Sequence, residues 1–208
     1  MKQVDKDHYT FSGYAYPGRF VSYYHQLQEV LNWNPKTILE VGVGDRVFAN
    51  YIKNNSSVMY TSFDIAEDLN PDFVGNVTEM PFKDGDFDVV CAFEVLEHIP
   101  FELFENAIQE LVRVANKAVV ISLPHFGPSF EFSLKIPFFK RLKWSFKFPY
   151  HPKHVWNGEH YFEIGKKDYE VKKILSILKK YAIVTKHFVP FENQYHHFFI
   201  LAKDNTLL

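Results

Sequence analysis

Apolar positions in this chain follow two spacings that alternate along its length. Apolar residues recur every three or four positions from Arg19 to Trp33 and from Pro100 to Val114, which predicts two amphipathic helices. The same spacing predicts a helix over Ile164 to Tyr181, and a shorter helical segment covers 47–53. Between these segments lie short, nearly continuous apolar runs.

The apolar runs have the length and content of strands buried on both faces. Five such runs precede residue 125: 37–41, 57–65, 71–75, 86–93 and 118–123. Strands that alternate with helices build right-handed βαβ units and therefore a parallel sheet covered by helices. Two more strands, 182–189 and 196–202, are joined by a connection too short for a parallel crossover, so we expect them to be antiparallel.

Length and composition indicate one domain of an ordinary globular protein. The 208 residues accommodate a single domain over 1–208, with an N-terminal cap over 1–34 and a lid-like insertion over about 125–163. A net charge of −2 offers no general argument for nucleic-acid binding. Cys91 is the sole cysteine and no apolar stretch approaches the roughly 20 residues of a membrane span, so we expect a cytoplasmic protein.

A Gly-x-Gly turn joins the first predicted strand to the helical segment that follows. Residues 40–46 read EVGVGDR, and glycines at this point let the backbone approach a ligand where a Cβ would block it. The nicotinamide-binding fingerprint needs a further glycine where Val47 stands, and no Gly-Lys-Ser/Thr of a P-loop is present. The turn therefore argues against a dinucleotide dehydrogenase and against a P-loop enzyme.

Two later motifs stand in register with this turn. They read MPFKDGDFDVV at 80–90 and FEVLEHI at 93–99. Together the three motifs resemble those of the class I S-adenosylmethionine-dependent methyltransferases, particularly their broad small-molecule branch, over about residues 36–124. The resemblance implies an α/β, Rossmann-like three-layer sandwich with a mostly parallel seven-stranded sheet of order 3-2-1-4-5-7-6 and strand 7 antiparallel. It also implies S-adenosylmethionine as cofactor and S-adenosylhomocysteine as product.

The resemblance implies a cofactor site at the carboxyl edge of the sheet. Asp64, at the end of the second strand, would accept hydrogen bonds from the ribose hydroxyls. Glu40 would order the loop or meet the cofactor's amino group, and Arg19 could pair with the methionine carboxylate. The whole expected set is Glu40, Gly42, Val43, Gly44, Asp64, Ile65, Asn76, Val77, Phe93, Glu94 and Arg19.

Two positions depart from the family's pattern. Asn76 stands where the family often has an aspartate, and we expect its side-chain oxygen to meet the adenine amino group while Val77 packs on the ring. Arg46 replaces the family's third glycine, and its side chain either alters the cofactor loop or points outward. The alternative to an enzyme is therefore an inactive scaffold that keeps the fold without productive cofactor binding.

The acceptor side carries weaker signals, because methyl transfer depends mainly on positioning and needs a base only when the acceptor must lose a proton. The candidate catalytic residues are His125, His160 and Glu159, and the alternative is that the histidines support loops through hydrogen bonds. The histidine spacing matches no zinc pattern and no His-Glu-x-x-His occurs, so we expect no metal.

Residues 135–147 combine basic and aromatic side chains without an acid. If helical, the segment would form an amphipathic cover that contacts a membrane surface or an anionic substrate; the alternative is an ordinary lid with solvated lysines. We expect a small or medium-sized acceptor molecule, no nucleic-acid partner, and a monomer or homodimer.

Overall fold

The computed structural model describes residues 6–148 and 150–203, which contain nine strands and five α-helices. The strands are β1 (Thr37–Val41), β2 (Met59–Asp64), β3 (Phe73–Val74), β4 (Phe87–Phe93), β5 (Ala115–Pro124), β6 (Ser129–Leu134), β7 (Leu142–Lys147), β8 (Ile183–Phe188) and β9 (His196–Ala202). The helices are α1 (Phe11–Tyr14), α2 (Pro17–Leu31), α3 (Val47–Asn55), α4 (Phe101–Val114) and α5 (Val171–Leu178).

Seven of these strands form one sheet in the order β3-β2-β1-β4-β5-β9-β8. Strands β1 to β5 pair in parallel, whereas β9 is antiparallel to both β5 and β8. Because β6 and β7 pair only with each other, β8 and β9 are the sixth and seventh strands of the main sheet. The predicted Rossmann-like fold, with its order 3-2-1-4-5-7-6 and antiparallel strand 7, is confirmed.

Successive residues of the central strands face two different apolar layers. Ile38 and Val89 pack with Phe48 on one face of the sheet, whereas Leu39 and Val90 belong to the cluster on the opposite face. Side chains of a strand alternate between its faces, so a strand covered on both sides needs apolar residues at every position. This explains why the sequence shows continuous apolar runs and places the polar residues at the ends of the strands.

The predicted helix over Ile164 to Tyr181 is wrong at both ends, since α5 covers only Val171–Leu178. The Ile164 amide donates to the carbonyl oxygen of Pro124 at 2.9 Å, which holds the segment beside the end of β5. Gly165 and Asp168 then take positive φ angles of 87° and 71°, which a right-handed helix excludes. A long-range hydrogen bond thus replaces the local helical pattern.

The insertion contains an antiparallel hairpin, β6–β7, in which Phe132 is paired with Trp144. Residues 142–147 are therefore strand, and the conditional helical form of 135–147 is wrong. Aromatic side chains on both strands are exposed. Within residues 6–148 and 150–203, no helix is long and apolar enough to cross a membrane.

Candidate active site

The carboxyl ends of β1, β2 and β4 meet at the glycine turn, and the turn requires glycine at its first position. Gly42 has φ +84°, and a Cβ there would lie 2.2 Å from Cγ2 of Val95. The Gly42 amide donates to the carbonyl oxygen of Phe63 at 2.9 Å. Steric exclusion and a left-handed backbone therefore act together at Gly42.

Asp64 lies at the end of β2 and is bonded to this turn. Its Oδ2 accepts the Val43 amide at 2.7 Å, and its Oδ1 accepts the Ala66 amide at 2.8 Å. A carboxylate oxygen accepts more than one hydrogen bond, so both oxygens can still accept from a ligand. The neighbouring Ile65 is 47% exposed, which leaves its side chain available for contact.

Arg46 keeps the backbone geometry of the glycine that it replaces. Its φ is +63°, and its Nη2 donates to the carbonyl oxygens of Leu69 and Asn70, the latter at 2.6 Å. The side chain thus reaches toward the segment after β2. The side chain therefore lines the outer cavity, and its effect on cofactor binding stays a prediction.

Two cavities flank Gly44 and Asp45. The inner cavity has a volume of about 30 Å³, enough for about one water molecule. Its lining consists of Tyr14, Arg19, Tyr23, Gln26, Glu40, Gly42, Val43, Gly44, Asp45, Phe48, Phe93 and Glu94. The outer cavity has a volume of about 360 Å³ and is lined by Tyr9, Gly44, Asp45, Arg46, Leu69 and Asn70.

The N-terminal cap packs directly over the glycine turn; its first five residues lie outside the described part of the chain. The Tyr23 hydroxyl donates to Asp45, and the Arg19 guanidinium lies 3.7 Å from the Tyr14 ring centroid. The Nε of Arg19 is buried and has no hydrogen-bond partner among the described residues. Burial raises the pKa of Tyr9 to about 12. A ligand group larger than a water molecule can therefore enter the inner cavity only if these cap side chains move.

Glu40 is a buried acid at the base of the inner cavity. Its side chain is 4% exposed and accepts a hydrogen bond from the Tyr60 hydroxyl. Burial raises the pKa of Glu40 to about 8, although the Tyr60 hydrogen bond opposes the shift; the nearby charges of Asp45 and Asp64 raise it further. A cationic ligand group beside Glu40 would favour ionisation of this carboxyl, because the positive charge would stabilise the carboxylate that burial disfavours.

Phe93 and Glu94 close the inner cavity at the end of β4. The Phe93 ring lies 5.4 Å from that of Phe48, and Glu94 has φ +54°. Burial raises the pKa of Glu94 to about 7, and its Oε1 has no hydrogen-bond partner in the described chain. The Oε2 of Glu94 lies 3.7 Å from Nε2 of His196, whose pKa burial lowers to about 3. Glu94 therefore retains acceptor capacity facing the cavity.

Asn76 and Val77 follow β3, whose Val74 pairs with Asp64 of β2. The Oδ1 of Asn76 accepts the Thr78 amide at 3.1 Å, and Val77 is buried in the main core. Neither residue lines the inner or the outer cavity. Their contact with an adenine ring stays a prediction.

His125 lies among other histidines at the end of β5. Its Nδ1 is 3.0 Å from Nδ1 of His197, whose Nε2 is 3.0 Å from Nδ1 of His187. Lys147 donates to the carbonyl oxygen of His125 at 2.7 Å, and burial lowers the pKa of the His125 imidazole to about 3. These contacts match the loop-supporting alternative, and His125 lines neither cavity.

His160 and Glu159 lie against the turn that follows β4. The His160 ring centroid is 5.1 Å from that of His98, and its Nδ1 is 3.1 Å from Oε1 of Glu163. Glu159 contributes its backbone, since its carbonyl oxygen lies 3.0 Å from Nδ1 of His98. The structure thus brings His160 and Glu159 to one place and His125 to another.

Three acids near the site escaped the sequence analysis: Asp45, Glu97 and Glu163. Asp45 lines both cavities, and Glu97 is 1% exposed with neither carboxylate oxygen hydrogen-bonded within the described residues. The three-residue spacing of Glu94 and Glu97 in the FEVLEHI motif was an available signal, because such a turn carries both acids past one strand end. Glu163 has no comparable local signal.

Comparison with known proteins agrees with this geometry. Residues 39–122, less than half of the chain, match the family model described as a methyltransferase domain. The predicted resemblance to class I S-adenosylmethionine-dependent methyltransferases is confirmed. A curated relative, the uncharacterized protein MJ0638 of Methanocaldococcus jannaschii, is 29% identical over 91 residues. That match covers 40% of this chain and 39% of the relative.

Solved structures share the methyltransferase fold over nearly the whole chain. The PH0226 protein of Pyrococcus horikoshii has a TM-score of 0.59 and 14% identity, covering 97% of this chain and 100% of that one. The N-methyltransferase NodS of Bradyrhizobium japonicum, in complex with S-adenosylhomocysteine, has a TM-score of 0.59 and 10% identity, covering 91% and 89%. At such identities the likeness establishes the fold alone.

Proposed function

We propose that this protein transfers a methyl group from S-adenosylmethionine to a small or medium-sized acceptor and releases S-adenosylhomocysteine. The observation that carries the proposal is the bond between Asp64 and the Val43 amide, which joins the acid at the end of β2 to the glycine turn. This arrangement supports a ribose contact by Asp64 beside a turn whose backbone a ligand can approach closely. NodS, which shares the fold, was solved with S-adenosylhomocysteine, and this supports the proposal.

The residues present fit such a cofactor. Asp64 would hold the ribose hydroxyls, and the buried Glu40 would favour the positively charged methionine end. Arg19, whose buried Nε has no hydrogen-bond partner in the described chain, would meet the methionine carboxylate. When bound, the cofactor supplies an activated methyl group, and the protein has chiefly to align the acceptor and exclude water.

On the acceptor side, His160 is the preferred candidate. It lies beside the turn after Glu94, together with Glu159, whereas His125 is occupied with His197 and Lys147. The insertion 125–163 therefore serves as a lid that brings His160 toward the cofactor. In this proposal His125 supports the loop.

Calorimetric titration with S-adenosylhomocysteine tests the proposed function. We expect micromolar binding by the wild type and roughly 100-fold weaker binding by Asp64→Asn, because charge-assisted hydrogen bonds contribute about 1.5–3 kcal/mol each. Asp168→Asn is the matched control, since Asp168 is an exposed acid whose φ of 71° an asparagine tolerates. NADH should not bind.

The absence of S-adenosylhomocysteine binding at millimolar concentration, in protein that circular dichroism shows to be folded, would contradict the proposal. The inactive scaffold would then be the better account. Equal binding by wild type and Asp64→Asn would instead contradict the ribose-binding role of Asp64.

We also propose that the β6–β7 hairpin contacts an anionic membrane surface. Segment 135–147 carries lysines and an arginine beside exposed aromatic rings, and Phe138 at its tip is fully exposed. This combination suits an anionic membrane surface, where aromatic rings enter the interface and cations meet the headgroups. Sedimentation with phosphatidylserine vesicles should capture the wild type and lose it on Lys140→Glu with Arg141→Glu. Equal sedimentation with neutral vesicles, or none with either, would leave the segment an ordinary lid.

A further inference from the structure

The turn after β4 contains a buried carboxylate to which the described residues donate no hydrogen bond. Glu97 is 1% exposed, and neither of its oxygens has a hydrogen-bond partner among the described residues. The Nε2 of His98 lies 4.0 Å from Oε1 of Glu97. A buried acid without hydrogen bonds is costly, and such a group in a folded protein often marks a ligand or ion site.

Two histidines present ring nitrogens toward this carboxylate. Nδ1 of His98 lies 3.0 Å from the carbonyl oxygen of Glu159, which can only accept, so Nδ1 carries the proton and Nε2 the lone pair. Nδ1 of His160 lies 3.1 Å from a carboxylate oxygen of Glu163, which sets the same tautomer. Histidines that bind metals characteristically donate their other ring N–H to a carbonyl or carboxylate in this way.

We propose that Glu97, His98 and His160 bind a divalent metal ion. One donor atom from each residue lies within 4.8 Å of the other two. Ligand atoms about 2.1 Å from a common metal are about 3 Å apart, so small side-chain rotations complete the site. Two imidazoles and one carboxylate suit Mn²⁺, Fe²⁺, Co²⁺ or Zn²⁺ better than Mg²⁺, which prefers oxygen ligands.

The electrostatics of the site agree with a bound cation. Burial raises the pKa of Glu97 well above its usual range, and the nearby Glu94 charge raises it further. Glu94 itself has an oxygen without a hydrogen-bond partner in the described chain. A divalent ion would offset both effects, because it replaces missing hydrogen bonds and compensates the repulsion.

No zinc pattern is visible along the chain because the proposed ligands come from distant segments. Glu97 and His98 belong to the turn after β4, whereas His160 belongs to the insertion. The two are joined where the Tyr161 amide donates to the carbonyl oxygen of Glu97 at 2.8 Å. The metal would therefore also fasten the lid to the body of the sheet.

The location indicates what the metal would do for an acceptor. Glu97 lies three residues after Glu94, one of the expected cofactor residues. A metal here would orient an acceptor that offers hydroxyl or carboxylate oxygens, beside the methyl group to be transferred. This consequence rests on the proposed function, whereas metal binding itself does not.

Metal binding can be measured without cofactor or acceptor. Protein treated with a chelator and then freed of it is titrated with Mn²⁺, and free Mn²⁺ is followed by its electron paramagnetic resonance signal. We expect one ion per chain for the wild type and at least tenfold weaker binding by Glu97→Gln and by His160→Gln. Glu102→Gln, which changes an exposed acid at the start of α4, should bind as the wild type does.

A second readout uses the wild type alone and so does not depend on the folding of a variant. Co²⁺ bound by two imidazoles and a carboxylate should produce visible absorption bands that Zn²⁺ abolishes by displacement. Failure of the wild type to bind Mn²⁺ or Co²⁺ below millimolar concentration would overturn the proposal. Unchanged Mn²⁺ affinity in folded Glu97→Gln and His160→Gln would overturn it as well.

Discussion

The carboxyl edge of the sheet carries two groups of acids that differ in their hydrogen bonding. On the cofactor side, Asp64 accepts two backbone amides, while Glu40 and Asp45 each accept a tyrosine hydroxyl. On the acceptor side, Glu97 leaves both carboxylate oxygens without a hydrogen-bond partner in the described chain, and Glu94, which lies between the two sides, leaves one. The same sheet edge therefore has one side whose carboxylates accept hydrogen bonds from the protein and another side whose carboxylates lack such donors.

The difference indicates which half is formed in advance. Acids that already accept protein donors hold the glycine turn in place before any ligand arrives. Buried acids without donors are unfavourable by themselves, so a ligand or ion that supplies the missing partner is bound preferentially. We infer that the cofactor side is preorganised and that the acceptor side is completed by what it binds.

The largest effect is expected from a substitution in the glycine turn of the preorganised cofactor side. Gly42→Ala places a Cβ 2.2 Å from Val95 at φ +84°, so we expect a loss of about 3 kcal/mol in the free energy of unfolding and no measurable S-adenosylhomocysteine binding. Gly158→Ala is the control, since a Cβ at Gly158 would lie more than 4 Å from every described residue other than its two chain neighbours, and only the φ of +99° disfavours the alanine. It should lose about 1 kcal/mol in urea unfolding; equal losses would refute the steric argument.

The next effect concerns the pH dependence of stability at Glu40. Its pKa is about 8 in the folded protein against an ordinary 4.5, so the unfolded chain releases this proton first and wild-type stability falls as pH rises from 4.5 to 8. Glu40→Gln removes that loss. We expect its stability relative to wild type to improve by about 2 kcal/mol between pH 5 and pH 8.

The control for Glu40 has the opposite sign. Arg113 lowers the pKa of Glu110, so that carboxylate stabilises the fold above its ordinary pKa and the contribution is lost as pH falls. Glu110→Gln should therefore be less stable than wild type at neutral pH and approach it in acid. If chemical denaturation shows Glu40→Gln tracking wild type at every pH, Glu40 is not held neutral in the fold.

A smaller effect tests the cap over the cofactor side. Tyr23→Phe removes the hydrogen bond to Asp45, about 1 kcal/mol, and should speed S-adenosylhomocysteine association about fivefold in stopped-flow measurements because the cap opens more readily. Tyr24→Phe on the same helix is the control, since Tyr24 is exposed and its hydroxyl accepts a hydrogen bond from Gln28, away from the glycine turn. Identical rates for both variants would contradict the opening model.

The smallest effect concerns the departure from the family's third glycine. Arg46→Gly relieves a left-handed backbone and loses two guanidinium bonds, so we expect thermal stability to change by less than about 0.5 kcal/mol. Arg46→Ala keeps the strain and loses the bonds, and should cost about 1 kcal/mol. A tenfold gain in S-adenosylhomocysteine affinity for Arg46→Gly would show that the arginine restrains the turn.

The strands of the sheet could be predicted because each one corresponds to a local run of apolar residues. Thr37–Val41 and His196–Ala202 have the bounds that their apolar runs indicate, since burial on both faces demands apolar residues throughout. The residues at 164–170 could not be predicted in this way. The Ile164 amide bonds to Pro124, which is distant in sequence, and local spacing carries no information about such a partner.

The candidate site divides in the same manner. Gly42, Asp64 and Glu94 sit in motifs directly after strands, where a family resemblance and strand register suffice to find them. The pairing of Glu97 with His160 depends on how the insertion docks, through the Tyr161 amide and Glu97. Burial of an acid is a property of the folded molecule, so the side whose carboxylates lack donors could not be recognised from sequence.

The most direct test of the two-part edge is a paired titration of Asp64→Asn and Glu97→Gln with S-adenosylhomocysteine and with Mn²⁺. We expect Asp64→Asn to lose about 100-fold in S-adenosylhomocysteine affinity and to keep its Mn²⁺ affinity. Glu97→Gln should show the reverse, with Mn²⁺ affinity lost and S-adenosylhomocysteine affinity within about threefold of wild type. Loss of both ligands by either folded variant would contradict the division into a preorganised cofactor side and a ligand-completed acceptor side.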